Sequence, residues 1–342
     1  MAENAPLFRP ALCFAFFMPA LRLACFLLLS SAALLCLGMG LGSTGWRSLW
    51  LAWGDAAAWQ IVWDVRLPRT LGAWLAGALL GLAGALAQGL FRNALADPFL
   101  LGSASGASLA VALALAVMGL PLAAAGWLAR LGLTGAAFAG ALGGVLLALA
   151  LAQGAQHTPR LLLAGVVVGY ALGACKELVT LAAPDILQAM QLFMLGSSAF
   201  VSWPGCALMA AALAVCLFAA RMLARVLDAL SLGEATAQSL GLPLPATRAA
   251  LVAVLALATG AAVAQTGLIA FVGLAAPHVV RQITPARHAW LLPLAALAGG
   301  VLLLAADLGA RWLLAPQELP VGVLTAVLGG GYLLWLMRRQ KT

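Results

Sequence analysis

"RLPRTLGAWLAGALLGLAGALAQGLFRNALADPFLLGSASGA", residues 66–107, decides the fold. Its first half is a long run of Leu, Ala and Gly. The hydrocarbon core of a bilayer asks for about 20 consecutive apolar residues in a helix, because no water is present there to satisfy the backbone. The run stops at "FRNALADPFLLG" (91–102), where one Arg, an Asn and an Asp-Pro pair interrupt it, and apolar character then resumes. Asp97 followed by Pro98 reads as a helix N-cap with Pro at the first helical position. Arg92 reads as a membrane-surface anchor. The stretch is therefore two spans joined by a tight polar turn.

The same pattern extends in both directions. Of the 342 residues 65% are hydrophobic and 8% charged, with a mean hydropathy of +1.08. A soluble chain of this length carries far more charge. Spans are expected at 21–42, 68–90, 98–118, 121–152, 160–183, 201–223, 245–266, 268–283, 289–313 and 319–337. Two long runs are divided, one at Gly119-Leu120-Pro121 and one at Gln265-Thr266-Gly267. The alternating pattern of a membrane β-barrel is absent from the sequence. The expected class is an all-α polytopic membrane protein of about ten helices, forming a single transmembrane domain over 1–342.

The net charge of +8 is scattered singly between spans. With the N-terminus inside, Arg9, Arg22, Arg92, Arg160, Arg221, Arg225, Arg248, Arg281, Arg287, Arg338, Arg339 and Lys341 fall on the inner side. Arg47, Arg66, Arg69, Arg130, Lys176 and Arg311 fall outside or within spans. That bias is the positive-inside rule, and it places both termini in the cytoplasm. It also removes the main argument for nucleic acid as a partner. Cys13, Cys25, Cys36, Cys175, Cys206 and Cys216 form no CxxC pair and read as small buried hydrophobes. The N-terminal run is long for a signal peptide and lacks an A-x-A site, so it reads as a retained first span.

Two interruptions are longer than a connector needs. Segment 43–66 carries Trp46, Trp50, Trp53, Trp59 and Trp63, an aromatic anchor at the outer interface or, less simply, a ligand cage. Segment 224–244, "ARVLDALSLGEATAQSLGLPL", is expected inside. Ser231 with Glu234 fits a capping box, and Gly241 with Pro243 fits a helix stop, so a helix of about two turns is expected there. Plain linker and docking element are both open from the residues alone. "GALAQGL" (84–90) echoes "GAAVAQTGL" (260–268) in a span of opposite direction, as an inverted repeat would.

Residues 66–107, "GLIAFVGLAAPHVVR" (267–281), "LGEATAQSLGL" (232–242) and "ADLGARWLLAPQELPVGVLTAVLGG" (306–330) together resemble the FecCD-type permease subunits of bacterial ABC importers. These take up ferric siderophores, haem and vitamin B12. The resemblance runs from about residue 60 to the end. It departs at Asn93-Ala94-Leu95, where the family usually has Asn-Pro-Leu, and at Gly329-Gly330-Gly331-Tyr332. It implies the type II ABC importer permease fold, an inverted repeat of helices 2–5 and 7–10, and a homodimer in the bacterial inner membrane. Two ATPase subunits would dock inside and a periplasmic or lipoprotein binding protein outside. No G-x-x-x-x-G-K-[ST] phosphate loop occurs in the sequence, so ATP and Mg would belong to the partner ATPase. This chain would carry no cofactor or metal of its own and would not be an enzyme.

The resemblance also suggests roles. Arg66, Arg69 and Arg311 would receive carboxylates of the binding protein. The plainer alternative is snorkelling, or for Arg311 a pair with Asp307 one helical turn earlier. Asn93 and Leu95, with Thr158 in "QHTPRLLLAG", would form a cytoplasmic gate, against the alternative of ordinary turns. Leu232, Gly233, Glu234 and Leu240 would enter a cleft on the ATPase, making 224–244 a coupling segment. Gln88 and Gln265 either line the path or bond between helices. Lys176 and Glu177 lie in span five, adjacent and so not expected to face each other; Lys176 is a candidate for contact with an anionic cargo. His278 reads as structural, and His157 and His288 as loop residues; their spacing makes no metal site. The cargo expected is an iron chelate, siderophore or haem, with vitamin B12 as alternative. An ion-coupled secondary transporter would rely on Asp307 or Glu177, and an intramembrane hydrolase lacks its motif, since "GSASGAS" misses G-x-S-x-G.

Overall fold

The computed structural model describes residues 10–42, 45–46, 55–118, 127–153 and 158–339. Helix α1 (Pro10–Gly40) is followed by a two-residue antiparallel ladder of β1 (Leu41–Gly42) and β2 (Gly45–Trp46), with Leu41 opposite Trp46. Helix α2 (Ala56–Ile61) runs through one π-helical turn (Val62–Arg66) straight into α3 (Leu67–Phe91). After a 3₁₀ turn (Pro98–Leu101) come α4 (Ser103–Met118), α5 (Trp127–Leu151) and α6 (Thr158–Ala182). A second 3₁₀ turn (Pro184–Ile186) leads to the short α7 (Leu187–Leu195), and then α8 (Trp203–Ser231) and α9 (Glu234–Ser239). The chain ends with α10 (Leu244–Thr266), α11 (Val272–Ile283), α12 (His288–Trp312) and α13 (Val321–Arg339).

Helix α3 is apolar on every side, and such a helix must be covered on every side. From Leu75 to Phe91 each residue is buried, with α12, α10, α8 and α11 packed around it. The packing is close because small residues meet. A Cβ built on Gly106 of α4 would fall less than 3.0 Å from the backbone of Gly140 in α5, and the converse also holds. Without a hydrophobic force between helices in lipid, such approach supplies the dispersion contacts that hold them. Helix α1 lies on α12 through Leu23, Leu27, Leu291, Leu294 and Ala298.

All ten expected segments contain a helix, and among the described residues seven helices are long and apolar enough to cross a bilayer. Helices α4 and α13 supply shorter apolar segments. The element order α3–turn–α4–α5–α6 recurs as α10–break–α11–α12–α13. Several boundaries differ from expectation. The first helix begins at Pro10 rather than 21 and carries Pro19 inside it. Residues 98–101 form a 3₁₀ turn, so the next helix starts at Ser103. In the segment 268–283 only 12 residues are helical, since Gly267 and Phe271 both take positive φ and break the run. Helix α7 lies between two of the expected spans. The break at Gly119-Leu120-Pro121 lies outside the described residues, as do Trp50 and Trp53. Of the described cysteines, Cys206 and Cys216 are buried, whereas Cys25, Cys36 and Cys175 are exposed on the helical surface, which corrects their reading as uniformly buried.

Candidate functional site

Two polar clusters close the two ends of α3. Arg69 and Arg92 are separated along it by about 35 Å at 1.5 Å per residue, comparable with the ~30 Å of a hydrocarbon core.

At the Arg69 end, Asp307 and Arg311 lie one turn apart on α12, each nearly inaccessible, and form an ion pair. Asp307 also accepts from Ser198 Oγ. Arg69 sits 3.6 Å from Asp307 and donates to both carboxylate oxygens of Glu318, at 2.9 and 2.8 Å. Arg311 donates to Thr70 Oγ1 (3.2 Å) and to the Gly38 carbonyl (3.4 Å). Arg66 donates to the carbonyls of Met39 and Gly40 at 3.3 and 3.2 Å, which are among the unpaired acceptors at the end of α1. The structure therefore brings the three expected docking arginines together and gives each a partner within the chain. Arg311 is 2% exposed. It is an internal residue, paired with the carboxylate one turn earlier, rather than an outward guanidinium.

At the Arg92 end, Arg92 closes α3 in the left-handed conformation, φ 50°. Asn93 Oδ1 accepts from Leu95 N (2.9 Å), and Asp97 Oδ1 accepts from Phe99 N (2.8 Å). These two side-chain bonds shape the turn. Asp97 is the expected cap, but of the 3₁₀ turn rather than of α4. Leu95 is exposed. Thr158 opens α6, which packs on the Pro98–Leu101 turn.

The segment beyond α8 departs from its expected capping box. Ser231 donates to the Asp228 carbonyl (2.6 Å), and the residue before α9 is Gly233 at φ 114°, a conformation suited to glycine. Glu234 instead meets Arg248 at 2.6 Å and Arg92 at 3.4 Å. Leu232 and Leu240 are 69% and 64% exposed. Asp228 accepts both the backbone N–H of His288 (3.0 Å) and lies 2.7 Å from its Nδ1. His288 is thus the first residue of α12, held by α8, not a loop residue. Nothing in the sequence marks this pair, whose members stand 60 positions apart.

Within the spans, Gln88 is 2% exposed. Its amide donates to the Leu274 carbonyl (3.1 Å) and its oxygen accepts from Arg281, so of the two readings it bonds between helices. Gln265 donates to Thr134 Oγ1 of α5 at 3.3 Å. The two glutamines of the sequence echo thus reach non-equivalent helices. Lys176 and Glu177, although adjacent, meet at 2.5 Å, because both side chains are long enough to bend together. His278 stacks edge-on to Tyr332 with ring centroids 5.8 Å apart and lies 2.8 Å from Gln282 Nε2. Among the described residues there is no cluster of His, Cys, Asp and Glu able to hold a metal.

The profile of the FecCD transport family matches residues 27–339. The hemin transport system permease protein of Yersinia pestis is 39% identical over 324 residues, 94% of this chain and 96% of that protein. The iron(3+)-hydroxamate import system permease protein of Bacillus subtilis is 35% identical, covering 93% of this chain and 84% of its own length. The vitamin B12 import system permease protein of Vibrio cholerae is 37% identical over 86% and 87%. A solved structure described as an inward-facing metal-chelate type ABC transporter superposes with a TM-score of 0.80 at 27% identity, over 92% of this chain and 97% of that one.

Proposed function

The chain belongs to the FecCD transport family, and from that premise we propose that it is the permease subunit of an ATP-driven importer for an iron chelate, siderophore or haem. The observation that carries this reading is the pair of polar clusters at opposite ends of the buried helix α3. One offers partnered arginines, the other an exposed short helix. In this reading the Arg69 end faces outward, where Arg66 and Arg69 meet a substrate-binding protein. The Arg92 end and both termini face the cytoplasm, in the inner membrane of a bacterium. Helix α9 with Leu232, Gly233 and Leu240 enters an ATPase subunit that supplies ATP and Mg. Asn93, Leu95 and Thr158 close the path from inside.

The permease works as a homodimer around a shared path. Helix α6 supports this arrangement: it presents Leu163, Tyr170, Leu178 and Leu181 to its surroundings, with Lys176 and Glu177 on the same helix. The vitamin B12 relative at 37% identity supports cobalamin as the second reading of the cargo. Ion-coupled transport finds less support, because Asp307 and Glu177 are each paired with a cation. A proton- or sodium-linked site needs a carboxylate able to exchange its partner.

The test is uptake in a strain deleted for this chain, offered labelled ferric siderophore, haem and cobalamin in parallel. Loss of one, restored by the intact gene and abolished by ATP depletion, is the expected result. Uptake that survives ATP depletion and collapses with an uncoupler overturns the importer reading.

A further inference from the structure

Helix α9 is only six residues long, and Ala237 is its buried residue. So little apolar area cannot by itself hold a helix in one place. It hangs from α8 by Leu232 and Gly233, the latter at φ 114°. Charge adds a second hold beside the buried Ala237. The Oε1 atom of Glu234 meets Nη2 of Arg248 at 2.6 Å and Nη2 of Arg92 at 3.4 Å. The two arginines differ in kind. The Arg248 side chain is 3% exposed, near the start of α10, whose body is packed in the core. The Arg92 side chain is 43% exposed and belongs to the residue that closes α3, directly before Asn93 and its side-chain-closed turn.

We propose that Glu234 is a positioning residue that ties α9 to the 92–95 turn, with Arg248 as the fixed anchor and Arg92 as the arm that moves. The short bond to a buried guanidinium holds Glu234 in register. The longer, solvated bond to Arg92 adds little to folding, so its part is to relate two surface elements rather than to hold the core. A displacement of α9 therefore reaches Asn93 through one ion pair and one peptide unit, and Leu95 through the Asn93 side chain, without rearrangement of the core. The proposal rests on the reading of α9 as the ATPase-docking element, and it assigns Arg92, outside the docking and gate residues, to the connection between them.

The experiment uses the full complex with its ATPase and binding-protein partners in proteoliposomes, with radiolabelled haemin, ferric hydroxamate and cyanocobalamin as separate probes. ATP hydrolysis and cargo moved per ATP are both read. Arg92→Glu, which sets like charges face to face, keeps hydrolysis but lowers cargo per ATP by about fivefold or more. Arg92→Lys retains most of the coupling. Arg92→Gln serves where Arg92→Glu fails to assemble, and it also lowers cargo per ATP. Wild-type coupling in Arg92→Glu or Arg92→Gln overturns the link. So does a parallel loss of hydrolysis and transport in an assembled variant, which marks a structural role. A wild-type complex that hydrolyses ATP but moves none of the three probes overturns instead the importer reading beneath it.

Discussion

Gly77 and Gly299 face each other across α3 and α12 so closely that a Cβ on either would lie less than 3.0 Å from the other's carbonyl oxygen. The obstacle in both directions is backbone, which cannot rotate away as a side chain can. Gly77→Ala or Gly299→Ala therefore separates two helices that carry much of the core. The expected cost is about 1–3 kcal/mol, the usual range for overpacking, read as a lower melting temperature of the purified protein in detergent. Gly135→Ala is the control. A Cβ there meets nothing within 4 Å, and its melting temperature holds or rises.

Asp307 and Arg311 make the second expectation. Both are nearly inaccessible, and charges taken out of water are tolerated only while paired. Asp307→Asn removes the carboxylate from Arg311 and lowers stability by about 3–5 kcal/mol, as for other broken buried pairs. Asp307→Leu combined with Arg311→Met removes both charges and recovers a large part of that loss. Equal melting of Asp307→Asn and wild type would show that Thr70, Gly38 and Glu318 suffice to hold the cation.

These examples also show what the sequence could disclose. A lipid solvent forces long apolar runs and punctuates them with Gly, Pro and charge, so the helices are visible in one dimension. The Asp97 cap is visible because its acceptor and donor are two residues apart. The capping box at Ser231 and Glu234 was the wrong local solution, because two arginines distant in sequence offer Glu234 a stronger partner than a backbone N–H. The short α11 was hidden because hydropathy does not report φ at Gly267 and Phe271. Arg69 and Glu318 are 249 positions apart, and a single sequence has no term for such a pair. Arg311 shows the same limit: composition places it near a surface, but packing encloses it.

Asp97 supplies a pH dependence. Burial raises its carboxyl above the ordinary range, and the bond from the Phe99 N–H opposes the shift only in part. The folded protein thus binds this proton more tightly than the unfolded chain does. The destabilisation from the buried charge is fully present above the folded value. It is relieved as pH falls through that value towards the ordinary carboxyl range. Asp97→Asn keeps an oxygen for Phe99 and removes the charge, so its stability should lose this contribution to the pH slope and match or exceed wild type at neutral pH. Asp97→Ala loses the cap and costs about 1 kcal/mol. Melting temperatures across mildly acidic to neutral pH check both.

Leu232 and Leu240 flank α9 and leave most of their surface uncovered. Their side chains contribute little to the fold of the isolated chain, since transfer free energy follows the area actually removed from water. If α9 docks in a cleft of the ATPase, these two leucines lose that exposure only in the complex. Leu232→Asp and Leu240→Asp should then leave the stability of the permease, followed by its melting temperature, within about 0.5 kcal/mol of wild type, as for ordinary surface changes. Each should weaken co-purification of the ATPase, because a carboxylate placed in an apolar cleft must be desolvated without a partner. The check is the amount of ATPase retained per permease after affinity purification. Full retention in both variants would mean that α9 reaches the ATPase through another face, and full loss together with a lowered melting temperature would mean that the leucines serve the permease itself.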